Sequence, residues 1–146
     1  MSNERLKQRF VAGESQILLG SAAFWEGVDV AEIPELILVL TRIPFENPKQ
    51  PFVQKMNRTL RQQGRNAFYE YALPMAMLKI RQALGRGTRT KDQASAVVFL
   101  DNRMLRKCYG KQMIQMLETE RKVVTLSFDQ IRQHIPEVLK HPPKES

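Results

Sequence analysis

At 146 residues, with 42% apolar residues and no excess of glycine or proline, the chain has room for one domain with a proper core and should fold rather than stay disordered. No apolar run approaches the ~18 residues of a membrane span, MSNERLKQRF has no apolar signal core, and the single Cys108 excludes an internal disulfide or a multi-cysteine metal site; a cytoplasmic location is expected. The net charge of +8 lies wholly between Lys55 and Lys91, where nine cations face Glu70 alone, and a basic block in an otherwise balanced chain implies a polyanionic partner.

The pattern predicts a short helix over residues 2–12, with Leu6 and Phe10 one turn apart and Gly13 as its stop. Residues 16–19 fit a short buried strand, followed by Gly20, Ser21 and the loop Phe24-Trp25-Glu26-Gly27-Val28-Asp29. Residues 36–40 (LILVL) are continuously apolar, as strands of a parallel sheet covered on both faces are. Pro44, Pro48 and Pro51 then impose a loop.

A helix over residues 51–63 opens on Pro51 and stops at Gly64. Phe52, Val53, Met56 and Leu60 share one side, and Lys55, Arg58, Arg61 and Arg65 the other. An all-cationic face without acids suits phosphate tracking as well as plain solvation. A second helical stretch, residues 66–84, is expected to bend or restart at Pro74, which lacks a ladder donor.

That stretch ends in KIRQALGRGTR, residues 79–89, where Arg81, Arg86 and Arg89 stand beside Gly85 and Gly87. The arrangement suits capture of a phosphate by a guanidinium fork, but by these residues alone it reads first as a helix C-terminus closed by Gly with arginines facing its dipole. Residues 96–100 (AVVFL) read as a strand, 102–117 as a helix weakened by Gly110, and 123–126 as a fourth strand. Ser127 and Gln130 have capping-box spacing for a last helix to about Ile135, and residues 140–146 read as a frayed tail. Cys108 reads as a small packing residue and His134 and His141 as surface residues. Trp25 either anchors its loop on the core or stacks on a base. Strands alternating with helices imply an α/β layered domain with a mostly parallel sheet, whose ligands bind beyond the carboxyl ends of the strands.

FWEGVD at residues 24–29 and QALGRGTR at 82–89 resemble motifs V and VI of superfamily-2 helicases, and more narrowly those of the DinG/XPD-like branch. RIPFENPKQPF at 42–52, LDNR at 100–103 and Tyr109-Gly110 also match that family, in order and spacing. The resemblance implies a RecA-like α/β fold in which Arg86 and Arg89 act as arginine fingers on ATP, with Gln82 and Gly85 in the same motif. By the same resemblance Glu26, Gly27 and Asp29 couple the nucleotide to the nucleic-acid groove, and Ser21 contacts the nucleic-acid backbone. The basic residues Lys55, Arg58, Arg61 and Arg65 complete the expected nucleic-acid surface.

The chain departs from the family pattern at Gly87-Thr88, where bulky apolar residues are usual, and at Ala22 and Ala23, where Gly and Ser are. It contains no G-x-x-x-x-G-K-[ST], no acidic box after an apolar strand and no cysteine set for an iron–sulfur cluster. The resemblance therefore implies an incomplete second motor domain over residues 1–139. It would share ATP and Mg²⁺ with a first RecA-like motor domain, bind single-stranded nucleic acid, DNA foremost, and be inactive alone. Two other readings stay open at this point: a stand-alone basic nucleic-acid-binding module, and a remnant whose basic block is only solvated.

Overall fold

A computed structural model describes residues 3–20, 33, 35–86 and 94–140. Its elements are α1 (Asn3–Val11), β1 (Glu35–Leu40), α2 (Pro51–Gln62), a π-helical segment (Phe68–Ala72) running directly into α3 (Leu73–Arg86), β2 (Ala94–Phe99), α4 (Arg103–Arg106), α5 (Cys108–Glu118) and α6 (Phe128–Lys140). They fall into two compact units, one of residues 1–38, 83–97 and 128–146, the other of residues 39–82 and 98–127.

In the first unit, α1 places Glu4 in its first turn and Arg9 in its last, each facing the helix-dipole end that favours it. Gly13 ends the helix at φ 76, a left-handed conformation that favours glycine. Just beyond it, Arg9 Nε donates to Glu14 over 2.8 Å.

In the second unit, α2 starts on Pro51, whose missing N–H is one that a first helical turn leaves unused anyway. It stops at Gly64, φ 71, where the N–H groups of Gly64 and Arg65 return to the carbonyls of Arg61 and Leu60 at 3.0 and 2.9 Å. That paired closure satisfies carbonyls the helix end would otherwise leave open. The expected disturbance near Pro74 is present as the π-helical turn just before it, in which the Leu73 N–H bonds the Phe68 carbonyl. Pro74 cannot donate to the carbonyl four residues back, so the preceding turn widens. Leu40, Ile80 and Met113 are fully buried at the centre of this unit, with Ile43, Val53, Leu60, Leu73 and Leu117 around them.

β1 and β2 pair in one sheet. The Leu100 N–H meets the Leu40 carbonyl at 2.9 Å, so the carboxyl ends of both strands lie together and the pair is parallel. Helices with a parallel sheet make this a partial α/β RecA-like domain.

Several expectations are corrected. LILVL is not covered on both faces: exposure alternates along β1, and Ile37 and Val39 stay 41% and 46% exposed, because no described layer packs on that side. Residues 16–19 and 123–126 are irregular, not strands, with Ile17, Leu19 and Val124 exposed. A short apolar run becomes a strand only when a neighbour takes its backbone bonds, and none does so among the described residues. The helix expected over 102–117 is two helices, separated at Lys107 by an extended backbone (φ −97, ψ 145). Gly110 lies inside α5 as a point of close approach to Met104 and not as a weak point. Finally, α6 continues through Pro136 to Lys140: the lost ladder bond falls on an exposed stretch where water can replace it. Among the described residues no helix is long and apolar enough to cross a membrane.

Candidate nucleic-acid interface

The apolar spacing of α2 dictates its outward face. Val53 and Leu60 are buried and Met56 half-buried, which turns Lys55, Arg58 and Arg61 to solvent. Lys55, Arg58 and Arg61 make no ion pair among the described residues. Arg65 differs, since its Nε donates to Glu70 Oε2 at 2.5 Å and a second guanidinium nitrogen contacts the same carboxylate. The single acid of the block thus offsets Arg65 and leaves the other three cations unbalanced. Phe52, expected on the apolar side with Val53, is instead 63% exposed at the first turn, its ring edge-on to Tyr71 with 6.4 Å between centroids.

The loop over residues 41–50 is held at three points in the same unit. The Ile43 N–H donates to Asp101 Oδ2 at 2.9 Å. Phe45 packs on Phe68 and Tyr109 at 5.6 and 5.8 Å between ring centroids. Glu46 accepts from the Tyr71 hydroxyl at 2.5 Å and from Lys79 Nζ at 3.2 Å. Those two donors hold the Glu46 carboxyl below its ordinary range, Tyr71 first, against the opposing effect of burial. The same bond pushes the Tyr71 hydroxyl up to about 12.

Asp101 is bound by Arg103 through two guanidinium nitrogens, Nε to Oδ1 at 2.9 Å and Nη2 to Oδ2 at 2.5 Å, and Arg103 lies 5.6 Å over the Phe45 ring. The Arg103 bond is the largest cause of a carboxyl lowered from 3.8 to about 2, with the Ile43 and Arg103 N–H groups adding to it and burial opposing. Sequence reasoning noted LDNR and RIPFENP without giving Asp101, Arg103 or Glu46 a role. The Asp-x-Arg spacing at a strand end was the one available signal.

A folded-state pKa below the unfolded one stabilises above the unfolded value and ceases to do so as pH falls through the folded value. Asp101→Ala is therefore expected to cost about 2–3 kcal/mol at neutral pH. The gap from the parent should close from about pH 4 to about pH 2, in line with the shift of this carboxyl. Denaturant midpoints of both proteins across that range check it, and a gap independent of pH would refute the assignment.

Of the expected ATP-motif residues, Gln82 and Gly85 are exposed near the end of α3, Ala83 and Leu84 between them are buried, and Arg86 is the last residue of the helix. Ser21, Trp25, Glu26, Gly27, Asp29 and Arg89 lie outside the described residues, as do His141 and the expected tail beyond Lys140. Arg81 is exposed and its Nε donates to Glu120 at 2.6 Å. His134 is a surface residue with Nδ1 3.8 Å from Glu137. Cys108 is exposed and not a packing residue, because the break at Lys107 makes it the first residue of α5. Its sulfur lies 3.2 Å from the Tyr69 hydroxyl, and that contact is the first cause of a lowered thiol pKa. Among the described residues no three His, Cys, Asp or Glu side chains gather as a metal site.

The helicase C-terminal domain family matches this chain over residues 1–120. The chain belongs to that family. It is 31% identical over 116 residues to the ATP-dependent DNA helicase YoaA of Escherichia coli K12, covering 80% of this chain and 18% of that protein. To the 3'-5' exonuclease DinG of Bacillus subtilis it is 32% identical over 115 residues, 79% of this chain and 12% of that one. To the ATP-dependent helicase DinG of Mycobacterium tuberculosis H37Rv it is 36% identical over 111 residues, 75% of this chain and 17% of that one. The chain spans less than a fifth of the length of these relatives. No solved structure matches it. It is thus a helicase C-terminal domain of the DinG-like kind, and α6 lies beyond the matched stretch.

Proposed function

We propose that residues 1–139 serve as the second motor domain of a DinG-like ATP-dependent helicase. In this reading α2 binds single-stranded nucleic acid, and Arg86 and Arg89 reach an ATP site built mainly by a first motor domain. Ser21 touches the nucleic-acid backbone, Glu26, Gly27 and Asp29 couple the two ligands, and Gln82 and Gly85 shape the arginine-bearing turn. Bound ATP with Mg²⁺ supplies the scissile phosphoanhydride, while this chain contributes positive charge to the transferring phosphoryl group. With no P-loop sequence, it should not turn over ATP alone.

The observation that carries the reading is the unbalanced cationic row on α2 in a chain of helicase family. Lys55, Arg58 and Arg61 recur every three residues, so they run about 9 Å along the helix axis, enough for adjacent phosphates of one strand. Fluorescence anisotropy with oligo-dT across a salt series tests it. Replacing Lys55, Arg58 and Arg61 together by Ala is expected to lower the slope of log K against log salt by about 2, as loss of three phosphate contacts to a single strand requires. Arg65→Ala should matter less, because Glu70 already balances that charge. Unchanged affinity in the triple variant would make the face a solvated surface only.

A further inference from the structure

A second set of cations stands where α4 meets α5. Arg106, Lys107 and Lys111 are exposed, and no acid occurs over residues 102–117 to balance them. Arg103, the fourth cation of that stretch, is committed to Asp101. Arg106, Lys107 and Lys111 make no ion pair among the described residues. Their placement is electrostatically costly. α5 begins at Cys108 with neither a side-chain cap nor an acid in its first turn, so cations gather at the helix end that already carries partial positive charge. Helices ordinarily place acids there. A surface kept in this state is offset when an anion lies on it.

The corner also carries an exposed ring. Tyr69 is 42% exposed, its hydroxyl lies 3.2 Å from Cys108 Sγ, and its ring stands edge-on to Phe68 at 5.3 Å. Tyr69 comes four residues after Arg65, on the π-helical segment that follows α2. The Tyr69–Cys108 contact therefore joins the π-helical segment that follows α2 to the start of α5, within one compact unit. An exposed aromatic ring beside open cations is what a single strand needs, with phosphates neutralised along the path and a base on the ring.

We infer that the single-strand track continues past α2, with a base stacking on Tyr69 and the following phosphates held by Arg106, Lys107 and Lys111. This inference rests on the α2 reading, and the test separates the two. Binding of dT20 to the full chain is measured over a salt series for four variants: the α2 triple, Arg106→Ala with Lys107→Ala and Lys111→Ala, Tyr69→Ala, and Tyr69→Phe. Thermal midpoints confirm that each is folded.

The corner triple is expected to lower the salt slope by about 2, as the α2 triple does. Tyr69→Ala should weaken binding about tenfold, and Tyr69→Phe should retain most of it, since stacking needs the ring and not the hydroxyl. Inorganic phosphate at matched ionic strength should not compete. If the α2 triple weakens binding and the corner triple does not, the extension falls and the α2 reading stands. If only the corner triple matters, the α2 reading falls and the continuous track with it. Equal losses for Tyr69→Phe and Tyr69→Ala would overturn the stacking role. Competition by phosphate would make the corner a free-anion pocket and overturn the track.

Discussion

Arg86→Ala, in an assembly holding both motor domains, is expected to lower kcat by about 10²-fold or more while the KM for ATP changes little. The expectation follows from the proposed finger role, in which the guanidinium meets charge that develops only as the phosphoryl group transfers. Arg86 ends the 14-residue α3, in which Ile80 and Leu84 are buried. Arg86→Lys should restore little, because an ammonium cannot reproduce the planar two-pronged contact. Arg89→Ala should resemble Arg86→Ala. Arg81 is the control, since it is tied to Glu120 in an exposed pair, and such pairs contribute at most about 1 kcal/mol to stability. The chain by itself should show no turnover beyond background. Equal, small effects at Arg81, Arg86 and Arg89 would return the stretch to an ordinary helix end.

The legible parts of this molecule are those whose causes are local. α2 was readable because Pro51, Gly64 and the spacing of Val53, Met56 and Leu60 all bear on the same dozen residues, and the outward cations follow from that spacing. β1 and β2 were readable as apolar runs, but their one-sided cover was not, because what packs on a sheet comes from distant sequence. Residues 16–19 and 123–126 have strand composition without a strand's partner among the described residues. The break at Lys107 was hidden for a similar reason: Met104 and Met113 are buried on either side of it, so apolar spacing does not mark the corner.

The same division holds for the candidate site. Cationic periodicity on one helix is visible in the sequence. The anchors of the 41–50 loop are not, because Glu46 reaches Tyr71 and Lys79 across 25 and 33 positions, and Ile43 reaches Asp101 across 58. Arg86 and Gln82 were singled out by motif resemblance alone, since periodicity had no means to mark them, and their role is part of the proposal. The resemblance did not foresee that Arg65 would be balanced by Glu70 while its three companions stay open.

Gly110→Ala is expected to destabilise the chain by about 3 kcal/mol or more. Two effects oppose each other at this position, and their sizes decide the sign. As a glycine in the first turn of α5 with no positive φ, Gly110 should gain at most about 1 kcal/mol from a methyl group. Space forbids it. A Cβ there would lie 2.5 Å from the Met104 carbonyl carbon and 2.8 Å from its Cα, and closer still to the carbonyl oxygen. The obstacle is backbone, so no side-chain rotation relieves it, and α4 would have to move off α5. That movement unseats Met104, which is only 6% exposed. Against a typical total stability of about 5–15 kcal/mol, the loss is large. Gly85→Ala is the matched control, for Gly85 is also helical, lacks a positive φ and has nothing within 4 Å of a built Cβ, so it should stabilise by about 0.5–1 kcal/mol. Denaturant midpoints of the two variants should therefore move in opposite directions. Movement of both in the stabilising direction would mean that α4 and α5 do not approach closely at Gly110.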